Sequence, residues 1–312
     1  MKPALSVIVP ASDGRDTLAA ALTALEPELE SEDELHVVRT GNGPAAARNA
    51  GALGAGGDVL VFVDSDVAVH RGALDRIRAA FGADPELTAL FGSYDDAPAD
   101  THAVSRFRNL LHHHTHQQGA GAATTFWSGL GAIRRDVFEA VGGFDTENCP
   151  DAMEDVELGM RLNARGARLV LDPELRGTHL KRWTLREMVR TDLIRRGVPW
   201  VQILLRRREL SSALNLSPRH RATAALHLLA VLRPRLAAPC LLAVIALNHR
   251  FYALLLRRGG PRLAAAGVGL HLVHNLTAVA SVPVGIAAHL RSREEQPAAA
   301  PPPPARAAEV VA

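Results

Sequence analysis

The stretch D-V-L-V-F-V-D-S-D-V-A-V-H, residues 58–70, decides how this chain is read. An apolar run, Val59 to Val63, ends abruptly in Asp64-Ser65-Asp66. Such a run has the character of a buried strand. Alternate side chains of a strand point the same way, so Asp64 and Asp66 would share a face. Ligands of open α/β sheets gather at the carboxyl ends of strands. Two hard oxygen donors there suit one divalent cation, Mg²⁺ or Mn²⁺, completed by substrate phosphates. Asp is also a favoured turn residue, so the triplet alone fits a plain turn equally well.

Outward from this strand, short apolar runs alternate with helical patterns. A-L-S-V-I-V-P-A (4–11) is a strand stopped by Pro10, and D-T-L-A-A-A-L-T-A-L (16–25) is a helix that Asp13 or Asp16 could cap. E-L-H-V-V-R-T (34–40) is a second strand. Residues 41–57 open on Gly and Pro, run helical and close on glycines. An amphipathic helix (71–85), a strand (88–96), a helix (105–121), a strand–helix–turn unit (124–145), a helix stopped by Gly166 and a strand (167–174) follow. Residues 179–197 then form a basic helix. This order predicts an α/β sheet, mainly parallel, with helices on both faces.

The formal charge of +2 conceals an asymmetry. Residues 1–175 hold 14 Lys/Arg against 27 Asp/Glu, a balance of −13. Residues 176–262 hold 18 against 3, a balance of +15. An acidic half suits a cation site, and a basic half suits an anionic surface. From about residue 222 the chain turns apolar, and 263–290 is a 28-residue run without a charged side chain. That run is long enough to span a bilayer, with a buried helical hairpin as the competing reading. It favours a membrane partner and no nucleic acid. Arg206, Arg207 and Arg208 beside Trp200 suit an interfacial segment on anionic lipid. The expected organisation is a catalytic domain (1–205), a basic linker (206–221), membrane-associated helices (222–291) and a disordered Pro/Ala-rich tail (292–312). Cys149 and Cys240 suggest no disulfide framework. The first residues have no signal-peptide shape, so the catalytic part is expected on the cytoplasmic side of the cell membrane.

Two further clusters carry chemistry. Glu154 and Asp155 open a helix, where the dipole favours acids or a carboxylate serves as general base. H-L-K-R-W, His179 to Trp183, suits either an anionic leaving group or a membrane-interface helix start. His112 and His116 share a helix face but have no third ligand, so helix-surface or acceptor-side roles are expected for them.

The order of these pieces resembles the family 2 glycosyltransferases of the GT-A fold, over about residues 4–205. The motifs are S-V-I-V-P-A-S, G-P-A-A-A-R-N-A-G with D-V-L-V-F-V-D-S-D-V, F-W-S-G-L-G-A-I-R-R-D-V-F-E-A-V-G-G-F-D, E-D-V-E-L-G-M-R-L and H-L-K-R-W. The last is similar to the Q-x-x-R-W signature of processive members, with His179 in the Gln place. The resemblance implies a Rossmann-like nucleotide-sugar-binding sheet. It implies donor contacts from Pro10, Ala11, Arg48, Asn49, Asp64 and Ser65, and metal contacts from Asp64, Asp66 and His179. It implies that Asp155 is the base with Glu154 beside it. Arg182, Trp183, Trp127, Ser128 and Gly129 would line the diphosphate and acceptor end. Relatives end the second strand in an Asp pair that reads the base; here Arg39 and Thr40 stand there, and Asp13 is a poor substitute. The expected activity is inverting, metal-dependent sugar transfer from a nucleotide sugar to a lipid or lipid-linked glycan. A polyprenyl-phosphate acceptor and a non-catalytic nucleotide-binding scaffold are the alternatives.

Overall fold

A computed structural model describes residues 2–11, 17–149, 152–208 and 217–295. The suggested caps Asp13 and Asp16, part of the expected linker and the tail beyond 295 lie outside the described residues. The sheet runs β2 (Glu34–Val38), β1 (Leu5–Pro10), β3 (Val59–Val63), β7 (Leu130–Arg134), β5 (Leu87–Tyr94), β8 (Arg168–His179), β4 (Val67–Val69), with β6 (Gly121–Ala123) also on β8. Every residue of β3 is buried. Its odd positions, Val59, Val61 and Val63, pack with Leu74, Ile77 and Phe81 of α3 (Ala73–Ala83) and Leu25 of α1 (Thr17–Leu25). Its even positions, Leu60 and Phe62, pack with Ala45 of α2 (Gly43–Leu53), Phe138 of α5 (Arg135–Ala140) and Leu158 of α6 (Glu154–Ala164). The period of two thus feeds two cores, which is why the strand reads as continuously apolar.

The sheet is mixed rather than mainly parallel. β1–β2, β1–β3 and β5–β8 are parallel, while β7 lies antiparallel between β3 and β5. An apolar run records burial but not strand direction. β4 and β6, three residues each, are too short to give a pattern. β8 is longer than expected because β4 pairs with its last three residues, carrying it to His179. Residues 180–184 are therefore not helical, and α7 (Leu185–Arg190) starts at the Thr184–Glu187 capping box.

A π-helical turn (Thr191–Gly197) links α7 to α8 (Val198–Arg207). α9 (Pro218–Leu232), α10 (Ala237–Leu247) and α11 (His249–Glu295) follow. α11 breaks at Gly260, whose φ of 67° precedes Pro261. By length and composition, residues 249–292 are long and apolar enough to cross a membrane. They share a core with α4 (Ala103–Gln118): Phe107 and Leu110 pack with Phe251, Leu255 and Leu263.

Gly159 fixes α6 against the segment leading into β7. A Cβ there would lie 2.1 Å from the Phe126 amide nitrogen and 2.4 Å from the Thr125 carbonyl carbon. Both are backbone atoms and cannot swing aside. Gly159→Ala is expected to cost about 3 kcal/mol by overpacking. Chemical denaturation checks this, and an unchanged midpoint would contradict it.

Candidate active site

The carboxyl edge of the sheet brings the motifs together. β1 delivers Pro10 and Ala11, and the Ala11 N–H donates to the carbonyl of Val38 at the end of β2, 2.9 Å away. β3 delivers the acidic triplet, β8 delivers His179, and β5 delivers Tyr94. α6 opens there with Glu154 and Asp155.

Asp64-Ser65-Asp66 is a turn, not the end of the strand: the Val67 N–H donates to the Asp64 carbonyl at 2.9 Å. Within this turn the two carboxylates have different partners. Asp64 Oδ1 accepts from Arg48 Nη2 at 2.6 Å. Asp66 Oδ2 lies 3.9 Å from His179 Nε2. The main chain holds this turn on both sides, through Asp64 N–H to the Gly129 carbonyl (3.0 Å) and Leu180 N–H to the Asp66 carbonyl (2.8 Å).

Arg48 is buried and joins two motifs distant in sequence. Its other terminal nitrogen, Nη1, donates to Glu154 Oε1 at 2.5 Å. Burial works against the guanidinium charge, but Asp64, Glu154 and Asp155 outweigh it and keep Arg48 protonated. One cation among three carboxylates leaves a negative surplus. Glu154 feels it: burial, then the charge of Asp155, push its carboxyl up to about 7 against the pull of Arg48. Burial also raises Asp155, although Arg48 and the N–H groups of Ser128 (3.2 Å) and Val156 (2.7 Å) favour its charge.

His179 and Asp66 fit a divalent cation. Their 3.9 Å separation is within the span of two metal–ligand bonds of about 2.1 Å each. Burial, then Lys181, lowers the His179 imidazole to about 3, so the ring is neutral and has a lone pair to give. Among the described residues no three His, Cys, Asp or Glu side chains form a ready cage. Remaining ligands would be substrate oxygens and water, the ordinary arrangement for a catalytic hard cation.

A ring cluster backs the site. Tyr94 stacks on His179 with centroids 4.2 Å apart and 15° between planes. His112 lies 4.3 Å from Tyr94 and 4.7 Å from Trp127. His112 and His116 are therefore not on the helix surface. His113 and His116 bond the Tyr94 and Gly92 carbonyls, which turns α4 inward. Tyr94 sits at the end of a plain strand pattern, so no sequence signal marked it.

The remaining motif residues are placed as follows. Ser65 and Ser128 are buried, and Gly129 packs against the Trp127 indole, which a Cβ would strike at 2.4 Å. The Asn49 amide exchanges two 2.9 Å hydrogen bonds with the main chain of Phe144, pinning the Gly-rich turn to α2. Trp183 is buried between the cations of Arg108 (4.9 Å) and Lys181 (3.8 Å). Arg182 is exposed beside His102.

Residues 5–142 match the sequence profile described as Glycosyl transferase family 2. Over that stretch the chain resembles the family 2 glycosyltransferases. A pre-mycofactocin glycosyltransferase of Mycobacterium tuberculosis (strain CDC 1551 / Oshkosh) is 32% identical over 155 residues, covering 47% of this chain and 32% of that protein. The O-antigen biosynthesis protein RfbC of Myxococcus xanthus is 51% identical over 47 residues, 15% of this chain and 4% of that one. The chain thus matches about a third or less of the length of these curated relatives. The mannosyltransferase PcManGT of Pyrobaculum calidifontis, solved with GDP-Man and Mn²⁺, shares the GT-A fold. Its TM-score is 0.53 at 20% identity, over 94% of this chain and 88% of that one.

Two outcomes test this charge cluster. Arg48→Met should cost about 3–5 kcal/mol, because it strands buried carboxylates. Calorimetry checks it, and a loss below about 1 kcal/mol would contradict it. A carboxyl raised by folding loses its stabilising contribution as pH climbs from the ordinary value toward the folded one. The stability of the wild-type protein relative to Glu154→Gln should therefore fall between pH 4.5 and about 7. A constant difference across that window would show that Glu154 ionises normally.

Proposed function

We propose that this glycosyltransferase moves a sugar from a nucleotide-sugar donor to an acceptor hydroxyl in one inverting displacement. The observation that carries this reading is Arg48, which fixes the Asp64 turn and the Glu154–Asp155 helix start in one charge cluster. Asp155 is the base. The acceptor oxygen bonds to the anomeric carbon as the bond to the leaving phosphate oxygen breaks, and that electron pair leaves with the nucleoside diphosphate. The acceptor proton passes to the Asp155 carboxylate. The raised Asp155 carboxyl makes it a better proton acceptor than an ordinary aspartate. Ser128 and Val156 N–H groups orient it.

Asp66 and His179, with Asp64, would hold Mg²⁺ or Mn²⁺, which supplies Lewis-acid stabilisation of the leaving diphosphate. Pro10, Ala11, Arg48, Asn49 and Ser65 border the donor, with Arg48 and Asn49 acting through the elements they brace. Arg182 offers an exposed cation for the diphosphate, and Trp127, Ser128, Gly129 and Trp183 form the acceptor wall. The acceptor is a lipid or lipid-linked glycan at the cytoplasmic face of the cell membrane, given the apolar, arginine-rich helices that follow.

Release of nucleoside diphosphate from a panel of nucleotide sugars, with Mn²⁺ or Mg²⁺, tests the reading. Asp155→Asn should lower turnover by about 10²–10⁴-fold and leave donor binding in place. Asp66→Ala should weaken metal-dependent donor binding. Full activity in Asp155→Asn would remove the base assignment.

A further inference from the structure

The C-terminal helices have two unlike faces. The inner face of α11 is bound to the catalytic domain along the length that would have to cross a bilayer. Gly267 packs on Leu255, which the Gly260 break folds back beside it, and a Cβ there would lie 3.9 Å from Phe107 of α4. His274 Nδ1 bonds Asp192 Oδ2 at 2.8 Å, and Asp192 Oδ1 also accepts from Arg108 at 2.7 Å. A Cβ on Gly197 would strike the Ser281 side chain at 2.3 Å, and one on Gly285 would strike Val201 of α8 at 2.6 Å. From 267 to 285 the helix therefore carries polar protein beside it. That protein would have to enter the hydrocarbon if α11 spanned, at a prohibitive cost for groups such as Asp192 and Arg108.

The outer face belongs to the α9–α10 hairpin. Asn248, just past α10, donates to Thr223 near the start of α9 at 2.9 Å, so the two helices lie back to back. Their inner seam buries Thr223, His227, Ala230, Cys240 and Val244. Their outer side leaves Leu229, Val231, Leu232, Leu236, Leu242, Ile245 and Leu247 exposed, Leu242 at 67% and Leu232 at 59%. Isolated exposed leucines are common, but seven large apolar side chains within nineteen residues form a surface that needs a partner. Arg233 and Arg235 are exposed at the hairpin tip. From residue 210 to 293 there is no Asp or Glu, against ten arginines. Apolar area with only positive charge around it is complementary to an anionic bilayer surface.

We propose that the chain docks on anionic lipid in the plane of the membrane. The α9–α10 hairpin tip is inserted in one leaflet, and α11 stays clamped to the catalytic domain without crossing. This rests on the membrane-side acceptor reading above and specifies its geometry: the catalytic edge is held at the leaflet that carries the hairpin.

Flotation of the purified full chain with phosphatidylcholine vesicles, with or without phosphatidylglycerol, tests the docking. Binding should require phosphatidylglycerol, weaken with added salt and fall at least about tenfold in Leu232→Glu/Leu242→Glu. The Arg233→Glu/Arg235→Glu chain should lose the phosphatidylglycerol preference. A chain that ignores vesicles and forms dimers through the hairpin would overturn the proposal. For the topology, Arg262→Cys and Ser292→Cys, at the two ends of the α11 segment that follows the Gly260 break, are made singly in a Cys149→Ala/Cys240→Ala background. Each is treated with an impermeant maleimide on sealed membrane vesicles from expressing cells. Equal labelling of both sites without detergent is expected, and one end protected until detergent is added would mean that α11 spans. These readouts need no turnover. Same-side labelling in a chain inactive on every donor would sink the transferase reading and leave the docking intact.

Discussion

The site depends on one buried guanidinium. Arg48 leaves the middle of α2, passes under the carboxyl edge of the sheet and bonds both Asp64 and Glu154. Without it, two acidic motifs ninety residues apart in sequence would repel one another inside a low-dielectric cleft. With it they are neighbours, yet not neutralised, since Asp155 and Asp66 add further negative charge. A divalent cation and a cationic transition-state sugar both suit that surplus. The same arrangement raises the Glu154 and Asp155 carboxyls, so the feature that favours a cation also makes Asp155 a stronger base.

Packing turns that electrostatic demand into geometry. Gly159 lets α6 approach the 125–126 backbone closely enough for Asp155 to meet the Ser128 N–H. Tyr94 stacks flat on His179 and holds the imidazole toward Asp66. Behind this wall, Arg108 stacks on Trp183 and pairs with Asp192, which also takes the His274 hydrogen bond from α11. The apolar C-terminal region is thus joined to the segment that follows His179 and does not merely trail from it.

Much of this was legible in the sequence. Strand β3, the helix opening at Glu154 and the Gly-rich turn at 142–143 followed from apolar runs and punctuation, because burial and turn chemistry are local. The resemblance to family 2 glycosyltransferases came from motif order. Strand direction was not legible, and β7 runs against its neighbours with the same apolar signature. The turn at Asp64-Ser65-Asp66 was hidden because a three-residue strand, β4, follows it at once, which strand alternation does not anticipate. H-L-K-R-W looked like the start of a helix. Pairing with β4 extends β8 to His179, and the cap lies five residues later at Thr184. Arg48 was read as a donor contact from its motif, and its bridge to Glu154 is a tertiary fact with no local trace.

The proposed single displacement, with Asp155 as the base, would fix the stereochemistry of the product. Proton NMR of the first-formed glycoside, taken before anomeric equilibration and compared with the donor, is the most direct measurement of that step. Inversion at the anomeric carbon is the expected result. Retention would require a second displacement or a different attacking face, and would contradict the role of Asp155 as the base.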